Sequence, residues 1–227
     1  MNRAASRHDG QALVESLIVM PVLLLAVLLL LQLVWIAFAH ATVQTATNYS
    51  ARAGAVNHGS RTAMERTFVA GMASLVPQWF AQLPPATAER WQSQLAATAR
   101  QWAHFQWAGK LQLHRPTAAV FREQAEHRYD LVAQQQVQEL AIDHASLRLA
   151  AASDPEQWQA DRMLEIEIWW CMPLRIPLAA AVLVTLKNFR ASAAQQFCQS
   201  RQMLTGQPMW ALEHRVTQPL LSGYRSP

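Results

Sequence analysis

At 227 residues the chain is long enough for one ordinary domain or two small ones, and it can bury a real core. Its formal charge of +4 comes from 19 basic and 15 acidic residues with no block of Lys or Arg, which argues against a nucleic-acid surface. Only 15% of residues are charged against 52% hydrophobic, and the apolar excess is concentrated in the first forty positions, so the average conceals a membrane segment.

The segment runs from Leu17 to Ala39, 23 residues interrupted only by Pro21 and Gln32, with no Asp, Glu, Lys or Arg between Glu15 and Arg52. A helix of that length reaches about 35 Å, enough to cross a hydrocarbon layer of about 30 Å with some tilt. Pro21 lies one turn into the span, where membrane helices tolerate proline. The rival reading is a secretory signal peptide cut after Ala39 at the small-x-small site Ala37-Phe38-Ala39. The apolar stretch exceeds the roughly 7 to 15 residues of a signal-peptide core, which favours an uncleaved anchor. Arg3, Arg7 and the amino terminus precede the span and Arg52 follows it, an asymmetry that points to a cytoplasmic N-terminus.

Glu15 stands at the threshold of the span, five residues after Gly10, in the string GQALVE. An ionised carboxylate costs about 2.5 to 3.5 kcal/mol at a membrane centre and less toward an end. Either Glu15 snorkels to the headgroup boundary, or it has a partner. Proteolysis after Gly10 supplies one: the new ammonium of Gln11 would lie one helical turn from Glu15, or meet the Glu15 of a neighbouring subunit, setting register between packed helices. A short basic leader, a Gly, a Glu at the fifth position of the mature chain and a continuous apolar run make up the type IV prepilin arrangement. The fuller string GQALVESLIVMPVLLLAVLLLLQLVWIAFAHATVQTATNYSARAGAV resembles the TadE-like minor pseudopilins of tight-adherence (Flp) pilus systems. The resemblance includes Pro21 and an Ala-rich extension with the pair Ala51-Arg52; it departs at Ser16, where the family commonly has an aromatic residue.

Beyond Ala39 the chain stays rich in small residues through Ala55. This suits close packing against neighbouring helices, or reflects only a helix with good Ala propensity. Arg61 to Leu75 is predicted helical, with Met64, Phe68, Met72 and Leu75 on one stripe. Pro77 and Pro84-Pro85 mark breaks. From Thr87 to Trp107 a helix is predicted, with Trp91, Leu95, Thr98, Trp102 and Phe105 on its apolar side. The nine tryptophans of the chain are read as core rather than as an exposed recognition surface. Lys110 to His114 alternates like a short strand and stops before Pro116, and Ala118 to Gln138 reads as helix, with Phe121, Ala125, Tyr129 and Val132 along one side. LQLHRPTAAVF resembles a strand, turn and helix passage of longer family members. Ser146 to Ala150 and Met163 to Trp170 alternate as strands, the second with Glu165 and Glu167 on a wet, solvated face, and Asp154-Pro155 between them is a turn signal. Leu178 to Leu186 is too short to span a bilayer and reads as a core or interface helix. Met209 to Val216 is the final strand.

Two cysteines, Cys171 and Cys198, lie in the part of the chain that the anchor would place outside the cytoplasm. A disulfide is expected there, with a pair of buried free thiols as the alternative. Residues 169–177 together with Phe197-Cys198 resemble the C-terminal portion of the TadE-like proteins, where such a cysteine pair recurs. No phosphate-cradling glycine loop or nucleophile elbow occurs, and the histidines never fall three or four apart. No catalytic residues, cofactor site or metal site are therefore assigned.

The expected architecture is α+β: a long N-terminal transmembrane helix with an amphipathic, pilin-like extension, then a helical region and a small antiparallel sheet domain. The expected divisions are a leader at 1–10, the transmembrane helix at 11–39, a helical extension at 40–76 and a periplasmic domain at 77–227. The resemblance implies a non-enzymatic minor pseudopilin of a Tad/Flp-type pilus, single-pass in a bacterial inner membrane. Its processing site is Gly10 and Gln11, Glu15 is the subunit-register charge, and Cys171 and Cys198 form the disulfide. The implied partners are other minor pseudopilins, the major pilin, a prepilin peptidase, secretion-platform proteins and membrane lipid, with no nucleic acid and no cofactor. The alternative is a ligand-binding protein, either secreted after cleavage at Ala39 or held by an uncleaved signal anchor.

Overall fold

The computed structural model describes the backbone of residues 9–75 and 87–225, and the side chains of residues 15–75 and 92–225. The elements in chain order are α1 (Asp9–Val56), α2 (Arg61–Met72) running into a 3-10 turn (Ala73–Leu75), α3 (Thr87–Ala108), β1 (Gly109–Arg115), α4 (Ala118–Gln124), β2 (Glu126–Asp130), β3 (Gln135–Glu139), α5 (Ala145–Ala151), α6 (Pro155–Ala160), β4 (Met163–Pro173), α7 (Pro177–Asn188), α8 (Ala193–Thr205) and β5 (Met209–Pro219). The fold is α+β as expected, with one long apolar N-terminal helix, shorter helices and small antiparallel sheets. The breaks expected at Pro77 and Pro84-Pro85 lie outside the described residues. The chain forms two compact units, one combining Met172–Trp210 with the chain up to Phe38, the other combining Ala39–Cys171 with Ala211–Pro227.

In the Ala39–Cys171 unit, α1 buries Ala39, Val43, Ala46, Thr47, Ser50, Ala51, Gly54 and Ala55, a set at helical spacing. Their small size lets α2 lie close. A Cβ on Gly71 would come within 2.9 Å of the Ala46 Cβ, and one on Gly54 within 2.5 Å of Met64 Sδ. Ser50 donates its hydroxyl to the Met64 carbonyl at 2.8 Å. Of the two readings of the small-residue stretch, close packing against a neighbouring helix holds rather than bare propensity, and the helix is the chain's own α2. The predicted stripe of Met64, Phe68, Met72 and Leu75 is buried throughout. The Phe68 ring lies 5.3 Å from Phe105 and 5.9 Å from Trp170.

Helix α3 forms where expected; the side chain of Trp91 lies outside the described residues, and Ala97 is the first buried side chain among the described ones. Ala97, Phe105 and Ala108 are buried, Thr98 and Trp102 half-buried, and Leu95 exposed. Among tryptophans with described side chains, only Trp170 is buried and the others are half-buried, so most of them edge the core rather than fill it.

The three-stranded sheet has the order β1-β4-β5. β1 and β4 pair antiparallel, with Leu111 opposite Ile168 and Leu113 opposite Ile166. Leu164, Ile166, Ile168 and Trp170 face the core, and Glu165 and Glu167 alternate with them. The two glutamates are not simply solvated. Glu165 pairs with Arg215 and with Arg115. Glu167 accepts from His114 Nε2 at 2.7 Å and from the Trp169 indole at 2.8 Å.

Three expectations for the middle of the chain are corrected. The helix predicted from Ala118 to Gln138 ends at Gln124, and β2 and β3 follow as an antiparallel hairpin with Tyr129 and Val132 exposed. Asp130 closes its turn by accepting from the backbone N–H groups of Val132 at 2.8 Å and Ala133 at 3.0 Å. Ion pairs Arg128–Asp143, Arg148–Glu126, Arg225–Glu139 and Arg225–Asp130 tie the hairpin to the elements around it. The strand predicted at Ser146 to Ala150 is instead helix α5, because five alternating residues are too few to outweigh the helix formers of ASLRLAA. Asp154-Pro155 starts a helix: Asp154 caps α6 by accepting from Gln157 N–H at 3.0 Å, and Pro155 takes the first helical position.

The C-terminal segment closes on the end of α1. Leu221 and Ser222 donate backbone N–H groups to the Ala55 carbonyl, His58 N–H donates to Ser222 Oγ, and Arg225 N–H donates to the His58 carbonyl. Gly59 turns the chain there with φ of 76°, and a Cβ on it would lie 2.2 Å from the Tyr224 ring.

In the unit containing Met172–Trp210, α7 buries Ala179, Ala180, Leu183 and Val184. α8 is capped by Ser192, which accepts from Gln195 N–H, and ends at Gly206 with φ of 69°. Buried Gln195 donates to the Met209 carbonyl at 3.2 Å and to Asn188 Oδ1 at 3.0 Å.

Candidate functional site in the N-terminal helix

Helix α1 is 48 residues long, or about 72 Å at 1.5 Å per residue. Twelve large apolar side chains between Leu17 and Val34 are exposed on it. At about 1.5 to 3 kcal/mol for each such side chain, leaving them in water forgoes on the order of 20 kcal/mol. A soluble surface does not carry such a belt; lipid or other apolar helices must cover it. The helix is long and apolar enough to cross a bilayer, as a membrane anchor requires. Pro21 lies inside the helix and cannot donate to the Leu17 carbonyl, a loss that membrane helices absorb.

Gly10 and Gln11 lie in the first turn of α1, and Glu15 lies one turn later on its exposed surface, at the edge of the apolar belt. The four-residue spacing sets Gln11 and Glu15 on one helix face. Cleavage between Gly10 and Gln11 would therefore leave an ammonium and a carboxylate on the same side of the helix end. The chemistry available here is charge pairing and helix packing.

Gln32 was legible only as an interruption of the apolar run, yet it is buried with 1% exposure, and its Oε1 accepts from the Ile176 backbone N–H at 3.3 Å. The signal that could have singled it out is that it is the one amide in 23 apolar positions.

Cys171 and Cys198 are disulfide-bonded, and no free cysteine remains. At the Cys171 carbonyl, His104 donates from Nε2 at 2.8 Å, and its ring lies 4.4 Å from that of Trp170. Burial lowers the His104 pKa and outweighs the raising effect of that carbonyl, so the imidazole is held neutral with its proton on Nε2. Among the described residues no group of three or more His, Cys, Asp or Glu could hold a metal ion.

The ionisable groups with the clearest shifts belong to structural pairs. The N–H groups of Ala133 and Val132 and the Arg225 guanidinium hold Asp130 down to about 2. Arg148 lowers Glu126, Arg128 lowers Asp143 and Arg215 lowers Glu165. For Glu167, burial pushes upward, but the Trp169 and His114 donors bring the balance below the usual carboxylate value.

Residues 10–52 match the family model described as TadE-like protein. The matched segment holds Gly10, Gln11, Glu15, the whole exposed belt and most of the small-residue face that packs on α2. No curated protein and no solved structure matches the chain.

Proposed function

We propose that this TadE-like chain is a minor pseudopilin taking part in assembly of a Tad/Flp-type pilus, without enzymatic activity of its own. The observation that carries the reading is the continuity of α1: its first half exposes an apolar belt fit for a membrane, with Glu15 at the border, inside the segment that matches the family. The chain would sit single-pass in a bacterial inner membrane with the N-terminus cytoplasmic and the C-terminal domain periplasmic, where an oxidising compartment suits the disulfide. A prepilin peptidase would cut after Gly10. The freed Gln11 ammonium would then pair with Glu15 of its own or an adjacent pilin-type helix, which offsets the cost of a carboxylate at the lipid boundary and sets the register of packed subunits. Its partners would be other minor pseudopilins, the major pilin and the secretion platform.

Mass spectrometry of the mature N-terminus tests this. A start at Gln11 is expected; a start at His40 points to secretion after a signal peptide, and an uncut chain to a plain signal anchor. In cells that need this protein for pili, Glu15→Leu is expected to abolish assembly while leaving membrane insertion intact.

A further inference from the structure

The unit containing α7 has a second apolar surface that a membrane anchor alone does not explain. On α7, Leu178 (66% exposed), Val182 (40%) and Leu186 (67%) recur at four-residue intervals, and Phe189 (88%) extends the stripe by one turn. The opposite face of α7 is already buried, so this stripe is left over from packing. Two independent observations identify what covers it.

The first is depth. Ile176, which starts α7, donates its backbone N–H to Gln32 Oε1 in the same unit. Gln32 lies fifteen residues, about 22 Å, along the helix from Leu17, and so within a hydrocarbon layer of about 30 Å if α1 spans the bilayer. The start of α7 is thereby held roughly 8 Å inside the far boundary of that layer, where a polar amide of the span is used as its anchor. The second is charge. Between Glu167 and Glu213 the chain has no Asp or Glu, whereas Arg175, Lys187, Arg190 and Arg201 all fall there. Arg175 and Arg190 are exposed, one just before α7 and one just after it. An apolar stripe flanked by bases with no acid is the composition of a helix that lies in the interface of an anionic bilayer.

We propose that α7 is an interfacial membrane helix. Leu178, Val182, Leu186 and Phe189 enter the acyl chains of the leaflet nearer Gln32, and Arg175 and Arg190 meet anionic phospholipid headgroups, while Lys187 stays over the Trp210 ring. The protein then holds the bilayer at two places, through the span of α1 and through α7. This fixes the rotation of α1 about its own axis, which a single span leaves free. The inference rests on the membrane-spanning reading of α1.

The test uses the full chain reconstituted in vesicles of phosphatidylcholine and phosphatidylglycerol with a photoactivatable group on the acyl chains, and maps lipid adducts by mass spectrometry. Adducts are expected both between Leu17 and Val34 and on the exposed stripe of α7. Adducts confined to the first region overturn the proposal and leave the anchor standing; adducts in neither region overturn both. In the double variant Leu186→Glu, Phe189→Glu, adducts on α7 are expected to fall at least about tenfold with those on the span unchanged, and an unchanged α7 yield sinks the assignment of the stripe. Replacing phosphatidylglycerol entirely by phosphatidylcholine is expected to lower the α7 yield severalfold; no change there overturns the headgroup contact.

Discussion

The two halves of α1 are one helix with two opposite surface chemistries. Between Leu17 and Val34 twelve large apolar side chains are exposed, whereas between Ala39 and Ala55 one face of mostly small side chains is buried. A belt of large exposed side chains suits a fluid apolar solvent, which needs no shape matching. Small side chains on one face admit a specific partner helix, with Ser50 hydrogen-bonded to it and Gly54 and Gly71 at the close approaches. The difference shows that side-chain size, more than hydrophobicity, marks where this helix stops exposing an apolar belt and starts serving the protein's own core.

Substitutions in the two halves should therefore behave differently. The largest loss is expected for Phe68→Ala, which empties a buried site shared with Phe105 and Trp170 and should cost about 3 to 5 kcal/mol of unfolding free energy. Chemical denaturation of the full chain in detergent, followed by tryptophan fluorescence, measures it. Replacing both Cys171 and Cys198 with Ser opens a covalent loop of nearly thirty residues and should cost about 3 kcal/mol by the same assay.

Acid should act more gently, because the paired carboxylates are half-buried at the surface and partly screened. Asp130 falls from 3.8 to about 2 in the fold, so its contribution is present above 3.8 and is lost as pH drops through 2. Glu126, Asp143, Glu165 and Glu167 are also lowered and act in the same direction below about 4.5. His104 and His214 are lowered too, so their neutral state costs nothing above 6.5 and costs progressively more below it. The thermal midpoint should be flat above pH 7, decline slowly below 6.5 and drop faster below 4.5; a midpoint that rises on acidification would contradict these shifts.

Ser50→Ala removes the hydrogen bond to the Met64 carbonyl and should cost about 1 kcal/mol. The smallest effect is expected for Leu24→Ala in the exposed half, within about 0.5 kcal/mol on domain unfolding, since Leu24 is 59% exposed. A loss as large as that of Phe68→Ala would erase the distinction between the two halves.

The elements read correctly from the sequence share a strong local signal. The apolar run of α1, the stripe of α2 and the alternation of β4 each repeat a physical pattern over many residues, and the cysteine pair was legible from its number and context. The errors fall where the signal is short or polar. Glu126 to Glu139 carries few apolar residues, so its hairpin is held by Asp130 and by Arg148 and Arg225, which lie outside it in sequence. Gln32 is a comparable case, since its role depends on an amide that arrives 144 residues later.

By itself the sequence determined the membrane-length helix, the acidic residue at its border and the alternating strand, because hydropathy and period are local properties of consecutive residues. Only the tertiary structure decided that the small-residue face belongs to α2, that Glu165 and Glu167 are paired, and that Gln32 receives the start of α7. Each of these depends on which distant groups meet, and burial makes an unpaired polar group or an unfilled gap costly enough to select one arrangement.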